Sequence, residues 1–400
     1  MTETRSTTQE KRRAFQGPAL FSYGFRPFFL GAALWAAFSG LVWIAYFEGG
    51  GPLAPAFDPV TWHAHEFLFG YLGAVVAGFL LTAVPNWTGR LPVMGWPLAG
   101  LTALWVAGRL AVSLGAMFPA GVVAAVDLAF PVSLAVFLAR EILAGRNWKN
   151  LIVLATLLIF LAGNAVFHVE ASQGLAAERG LGLRLGLAAG IMLVAVVGGR
   201  IVPSFTRNWL VKAGRTALPT PPMQGFDRLA LAALLAALAL WSVAPDWMAT
   251  GIMMLLAGTL HAVRLARWQL HQTLAEPLVW VLHLAFAFIP LGALTLGLGA
   301  TIGSAELGVA GLHIWTIGAL GLMPMAVMTR ATLGHTGGAL HAGPMTVALY
   351  LCVLVALILR LAAWVAADPR VMIIASAGCW SVAFLGFAMV YGPRLLRPRG

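Results

Sequence analysis

Long apolar runs separated by short polar turns dominate the sequence. Twelve of these runs are long enough to cross the hydrocarbon core of a bilayer as helices, which takes about 20 residues each. The predicted spans cover residues 28–48, 62–84, 96–117, 121–143, 150–169, 181–203, 227–244, 248–267, 277–297, 306–328, 344–366 and 371–393. The pattern therefore predicts an all-α, polytopic membrane protein whose single twelve-helix domain occupies residues 21–394.

Composition supports a membrane protein and argues against a nucleic-acid partner. The chain is 60% hydrophobic and 10% charged, whereas a soluble domain carries about 25% charged residues. The net charge of +11 does not indicate nucleic acid, because Lys and Arg concentrate in the segments on one side of the predicted spans. That bias predicts that both chain ends lie in the cytoplasm, with a disordered tail over residues 1–20 and a basic tail over residues 395–400.

A weak internal repeat follows the same spans. Spans 2, 6 and 10 end in a proline followed by Thr and Arg, at Pro85, Pro203 and Pro324. This recurrence predicts three four-helix units of parallel sense. The alternative is that Thr and Arg are ordinary residues of the inner membrane boundary.

Two histidines and a carboxylate stand at the start of span 2. Asp58 is a good N-cap and Pro59 suits the first helical position, so His63 and His65 fall in the first two helical turns. At about 100° per residue the two rings point to nearly opposite sides, and one helix can serve two neighbouring centres. Glu66 can hydrogen-bond a ligand histidine, bind a metal or pass protons. The alternative is that these histidines lie among lipid headgroups and cap loops.

The nine histidines divide by depth into two layers, separated by roughly 30 Å of hydrocarbon. The outer layer holds His63, His65, His168 and His313, and the inner layer holds His261, His271, His283, His335 and His341. Neutral imidazole is a good ligand for heme iron and for copper, although a lone buried histidine more often packs by hydrogen bonding. The absence of a Cys-x-x-Cys-His motif excludes covalently attached c-type heme.

Other polar residues lie inside the predicted spans. Arg109 in span 3 and Asp127 in span 4 are expected to pair across helices, unless Arg109 extends to the headgroups instead. Asn164, His168 and Glu170, near the end of span 5, are predicted to form a polar wall beside the outer layer.

Four segments resemble the NnrS family. They read Phe-Ser-Tyr-Gly-Phe-Arg-Pro-Phe-Phe (21–29), Trp-His-Ala-His-Glu (62–66), Ala-Gly-Phe-Leu-Leu-Thr-Ala-Val-Pro-Asn-Trp-Thr-Gly (77–89) and Met-Thr-Arg-Ala-Thr-Leu-Gly-His-Thr-Gly (328–337). The resemblance spans nearly the whole chain. It implies a bacterial inner-membrane protein that contains heme and copper and belongs to the nitric oxide response of denitrifying and nitrosatively stressed cells.

A second similarity concerns arrangement alone. Heme-copper oxidases, in their subunit I, and bacterial nitric oxide reductases also use about twelve spans in a threefold pattern, with heme-ligating histidines at the outer ends of spans 2 and 10. His63, His65 and His313 match those depths, but spans 6 and 7 of this chain contain no histidine. Such fold analogy supports no function by itself.

The resulting hypothesis is a heme b- and copper-binding oxidoreductase that reduces nitric oxide with electrons from quinol or a cytochrome. His63, His65 and His313 are the predicted outer ligands, with His168 as a further candidate. His261, His283 and His335 are expected to build an inner centre, and Glu66 to deliver protons. The alternatives are a non-catalytic protein that binds nitric oxide or handles heme or copper, and a secondary transporter.

Overall fold

The computed structural model describes residues 15–398, and these form helices and connecting turns without β-strands. The long helices are α1 (Phe25–Phe47), α2 (Pro59–Thr88), α3 (Trp96–Ser113), α4 (Ala120–Ala144), α5 (Leu151–Ser172), α6 (Leu181–Lys212), α7 (Gly225–Val243), α8 (Met248–Ala266), α9 (Pro277–Ile302), α10 (Ala305–Thr336), α11 (Pro344–Ala362) and α12 (Pro369–Leu396). The predicted all-α, polytopic fold is thus confirmed, and every predicted span corresponds to one long helix.

Eleven of these helices are long and apolar enough to cross a membrane, and α3 is the exception. It has 18 residues and carries Arg109. The start of α1 and the end of α12 nevertheless lie on one side, because the Arg26 guanidinium at the start of α1 donates to the carbonyls of Leu395 (2.8 Å) and Arg397 (2.7 Å) at the end of α12. Helices that alternate in direction place the start of the first and the end of the last on one side only if their number is even, and together with α3 the described part of the chain has twelve long helices.

Helices α2, α6 and α10 occupy the centre of the bundle. In the most apolar 18-residue stretch of each helix, 83%, 72% and 72% of the residues are buried, which is a larger share than in the other candidate spans. They meet around Gly190 of α6, where an added Cβ would lie 3.0 Å from Leu72 and 3.4 Å from Leu320. These are the helices that end in the proline, threonine and arginine recurrence. The threefold repeat itself stays a prediction, since central position alone does not demonstrate internal symmetry.

Two of the central helices contain a wide π-helical segment. In α2 it covers Glu66–Leu72 and in α10 it covers Ile314–Leu322, and each begins directly after a candidate histidine. The Tyr71 hydroxyl donates to the Leu320 carbonyl at 3.3 Å and joins the two segments. Single π turns within α-helices occur frequently at functional sites.

Two helices lie at the predicted boundaries of the domain. Of the predicted N-terminal tail, residues 1–14 lie outside the described part of the chain, and Ala19–Ser22 forms a short 3-10 helix. At the other end, α12 continues to Leu396, two residues past the predicted boundary of the domain.

Candidate metal centre

The start of α2 is built as its sequence predicts. The Asp58 carboxylate accepts hydrogen bonds from the Val60 (3.0 Å) and Thr61 (3.1 Å) amides, and Pro59 occupies the first turn. This cap fixes where the helix begins and therefore which way its next residues face. His63 and His65 point into different surroundings, as their angular separation on a helix requires.

His65 enters a fully buried polar network formed by α2, α3, α4 and α5. Its Nε2 lies 2.9 Å from Asn164 Oδ1 and 3.3 Å from Asp127 Oδ2. His168 Nε2 lies 3.0 Å from the same Asp127 oxygen, to which the Asn164 amide also donates at 2.8 Å. Asp127 thus stands between two imidazoles that belong to different helices.

These side chains offer a converging set of metal ligands. Among residues 15–398, the group that brings at least three possible ligand atoms within 4.8 Å of one another consists of His65, Asp127 and His168. Two imidazoles and a carboxylate suit copper, zinc, iron or nickel. We call these three residues the outer triad.

Glu66 and Arg109 orient the outer triad. The His65 Nδ1–H donates to Glu66 Oε1 at 2.9 Å, which fixes the orientation of the ring, and Nε2–H donates to Asn164 Oδ1. A metal at the outer triad would take the place of the Nε2 proton. Arg109 Nη1 donates to both Glu66 oxygens at 2.6 Å, and Nη2 donates to Asp127 Oδ1. A carboxylate behind a ligand histidine is a common support for a bound metal. The predicted pairing of Arg109 with Asp127 is therefore observed.

The charges of this network suit a bound cation. Glu66 and Asp127 carry two negative charges when ionised, and Arg109 carries one positive charge. All three side chains are buried, with the most exposed at 4%. Both ring nitrogens of His65 face oxygen acceptors, so His65 as an imidazolium supplies the second positive charge that this buried network requires. A metal cation between His65, Asp127 and His168 would take over that charge when it displaces the Nε2 proton.

Phenylalanines surround the ligand end of the triad. The rings of Phe57, Phe69 and Phe167 each lie 5.3 Å from the His65 ring, and Phe57 lies 5.4 Å from His168. This shell excludes bulk water, so that electrostatic interactions inside it are stronger than at a protein surface.

His63 faces α1 and α10 instead. Its ring stacks on Trp43 at 4.2 Å, and its buried Nδ1 has no hydrogen-bond partner. His63 lies within electrostatic range of His313 and of the Arg360 guanidinium. The Nδ1 of His313 donates to the Val309 carbonyl at 2.8 Å, which leaves Nε2 for a ligand. These two predicted outer ligands thus lie outside the outer triad.

Two predicted inner histidines, His261 and His283, occupy a second buried region. Arg264, which the sequence places at the inner membrane boundary, is fully buried and donates to Asp227 Oδ1 at 2.8 Å. His261 Nε2 donates to the Ala230 carbonyl (3.2 Å), and His283 Nε2 lies 2.7 Å from Thr206 Oγ1. The Nδ1 atoms of both rings are buried without hydrogen-bond partners.

The third predicted inner ligand has different neighbours. His335, near the end of α10, packs against Tyr23 (5.4 Å) and Phe25 (5.3 Å) of the N-terminal segment. The rings of His261 and His283 instead contact Phe286 and Trp268, respectively. An inner centre built from all three histidines stays a prediction.

Sequence reasoning assigned Asp127 to an ion pair and overlooked it as a candidate ligand. The sequence feature that could have revealed it is a single acidic residue in an otherwise apolar stretch of α4, because a charged side chain inside a membrane is energetically unfavourable and often functional. Glu170 of the predicted polar wall has a separate task, since its carboxylate accepts from the Leu181 and Gly182 amides at the start of α6.

Comparison with known proteins gives one family match. The family model described as NnrS protein matches residues 19–399, nearly the whole chain. A comparison with curated protein sequences gave no match.

Proposed function

Because the chain belongs to the NnrS family, we propose that it is a heme b- and copper-containing protein of the bacterial inner membrane that reacts with nitric oxide. The reaction we favour is reduction, in which two nitric oxide molecules, two electrons and two protons give nitrous oxide and water. Quinol or a cytochrome supplies the electrons. The observation that carries the proposal is the convergence of His65, Asp127 and His168 in a buried, water-excluding site.

The residues of the outer triad fit copper. His65 and His168 supply imidazole nitrogens and Asp127 supplies an oxygen, a ligand set that copper accepts. Bound there, copper supplies a site that binds the gas and exchanges electrons. Glu66 holds the His65 ring through Nδ1, and Arg109 holds both carboxylates in place. Glu66 is also the candidate for proton delivery.

His63 and His313 are the residues that would hold heme b. The unpartnered Nδ1 of His63 is a nitrogen without any structural task in this fold, and Nε2 of His313 is also available. Arg360 provides a positive charge nearby, which suits the carboxylates of a heme. We place both chain ends in the cytoplasm, on the basis of the Lys and Arg bias and the contact of Arg26 with the end of α12.

Metal analysis and gas consumption test this proposal on the purified protein. We expect copper and iron in the preparation, a Soret absorption band, and continuous anaerobic consumption of nitric oxide with reduced quinol. His168→Ala should lose copper, whereas His271→Ala, which removes an exposed imidazole on the other side, should keep it. Consumption that stops after one equivalent per heme would indicate capture without turnover. A colourless, metal-free protein would favour the transporter alternative.

A further inference from the structure

A small cavity adjoins the outer triad. Its apolar wall includes Phe69, Phe130, Leu134, Leu157 and Phe160. Its polar side is formed by Arg109, Asp127 and Asn164, which belong to the network described above. The volume of the cavity is about 10 Å³. It therefore holds one molecule of about the size of water or of a diatomic gas.

The polar groups around this cavity offer little to a water molecule. Asp127 already accepts from Arg109, Asn164 and His168, and Asn164 is bonded through both ends of its amide. Arg109 Nε is buried and has no hydrogen-bond partner. A buried water usually makes about three hydrogen bonds. A neutral diatomic molecule with one weak acceptor end matches a mainly apolar wall and a single spare donor better.

Gly73 keeps the space open. It lies in α2 with ordinary helical backbone angles, φ −56° and ψ −43°, so its conformation does not require glycine. A Cβ at this position would meet Phe160 Cε1 at 3.8 Å, an ordinary contact. Helix packing therefore does not require glycine either, although glycine in a helix costs up to about 1 kcal/mol relative to alanine. Because Gly73 has no side chain, the space beside it remains open and forms part of the cavity.

We propose that a small neutral diatomic gas binds in this cavity, which Gly73 lines, next to the outer triad. The inference rests on the proposed function in that it names where the gas substrate is held. The phenylalanine and leucine wall selects against ions and larger molecules, and Gly73 sets the available volume. Gly73 is thus a specificity-determining residue of the site.

Nuclear magnetic resonance of the full-length protein in detergent micelles tests the pocket. Nitric oxide is paramagnetic, so its presence broadens nearby methyl signals. In protein with labelled leucine methyls, from which copper has been removed and to which no reductant is added, we expect nitric oxide to broaden the methyl signals of Leu134 and Leu157 several-fold more than those of the buried Leu320. Gly73→Val should remove this excess, and Gly73→Ala should reduce it. Both variants suit a helical backbone.

Gly378→Ala is the matched control, because a Cβ there meets no atom within 4 Å and the residue lies on α12. It should leave the broadening unchanged. Equal broadening of Leu134, Leu157 and Leu320 in the wild type would overturn the proposal. Excess broadening that persists in Gly73→Val, or a stable water signal at the Asn164 amide without any gas effect, would also overturn it. Since no turnover occurs in this experiment, its result is independent of whether the protein reduces nitric oxide.

Discussion

The two buried polar regions of this bundle contain the same kinds of residue but differ in how these residues are connected. On the side where α2 begins, His65, His168 and Asn164 converge on Asp127, and Arg109 connects Asp127 to Glu66. On the opposite side, Arg264 pairs with Asp227, while His261 and His283 each bond to a separate oxygen.

The difference lies in the position of the carboxylate. Asp127 stands between two imidazoles, whereas Asp227 receives the Arg264 guanidinium and the Gln224 amide at the start of α7. The Thr206 hydroxyl donates to Val202 at 2.8 Å, so it accepts from His283 Nε2, and the His283 Nδ1 faces apolar packing. In this structure, histidines at one depth converge where they share an acceptor, as His65 and His168 do at Asp127.

The largest expected effect compares the two buried arginines. Arg109→Ala leaves both Glu66 and Asp127 without their guanidinium, whereas Arg264→Ala leaves one carboxylate that an amide still caps. Removing one partner of a buried ion pair costs about 3–5 kcal/mol, so we expect Arg109→Ala to lower the free energy of unfolding by at least this much, and by more than Arg264→Ala. Denaturation in detergent measures the difference.

Arg228→Ala serves as the control for this comparison, because Arg228 is exposed on α7. Its unfolding free energy should stay close to that of the wild type. An Arg264→Ala variant that is as unstable as Arg109→Ala, or less stable, would contradict the view that the outer network is the more tightly coupled one.

Copper titration separates the regions by chemistry. His168→Ala removes a ligand of the outer triad and should weaken copper binding more than about 100-fold, since even residues behind the ligands contribute 10–100-fold. His283→Ala removes a buried imidazole with a single hydroxyl neighbour and should leave that affinity unchanged. Equal losses in the two variants would mean that the outer triad is not the copper site.

A smaller effect tests the orientation of His65. Glu66→Gln keeps the size of the side chain but removes the charge behind Nδ1, so copper affinity should fall about 10–100-fold. Glu170→Gln changes the same residue type at the start of α6 and should have no effect on copper. If both variants bound copper like the wild type, Glu66 would have no part in holding the ligand.

The smallest effect concerns an exposed ion pair. The Arg370 guanidinium hydrogen-bonds Glu48, at the end of α1, and thereby lowers the pKa of Glu48. Its stabilising effect is present above the ordinary glutamate pKa of about 4.3 and is lost as the pH falls through the lowered value. Glu48→Gln should therefore lower the melting temperature slightly at neutral pH and leave it unchanged in strong acid. A loss that does not depend on pH would exclude the ion pair as the cause.

Sequence reasoning reached the parts of the site that depend on one helix. The cap at Asp58 and the 100° step per residue sufficed to place His63 and His65 in different surroundings. The pairing of Arg109 with Asp127 followed from the cost of unpaired charges in an apolar setting.

The parts that depend on how helices face one another were not accessible. Membrane helices are apolar all round, so their hydropathy does not reveal which side of α4 turns Asp127 toward His65 and His168. For the same reason Arg264 was counted among boundary charges, although packing against α6 buries it fully. The π-helical segments of α2 and α10 also carry no signal in the apolar pattern.

The contact of Arg26 with the end of α12 has a consequence for biogenesis. The guanidinium and its Leu395 acceptor are separated by 369 residues, so nearly the whole polypeptide must be synthesised before this bond can form. α12 also donates from Trp380 to the Ala36 carbonyl of α1 at 3.0 Å. α1 therefore completes its contacts only after α12 has been synthesised, and a truncation within the last turns of α12 would leave a packing defect at the start of α1.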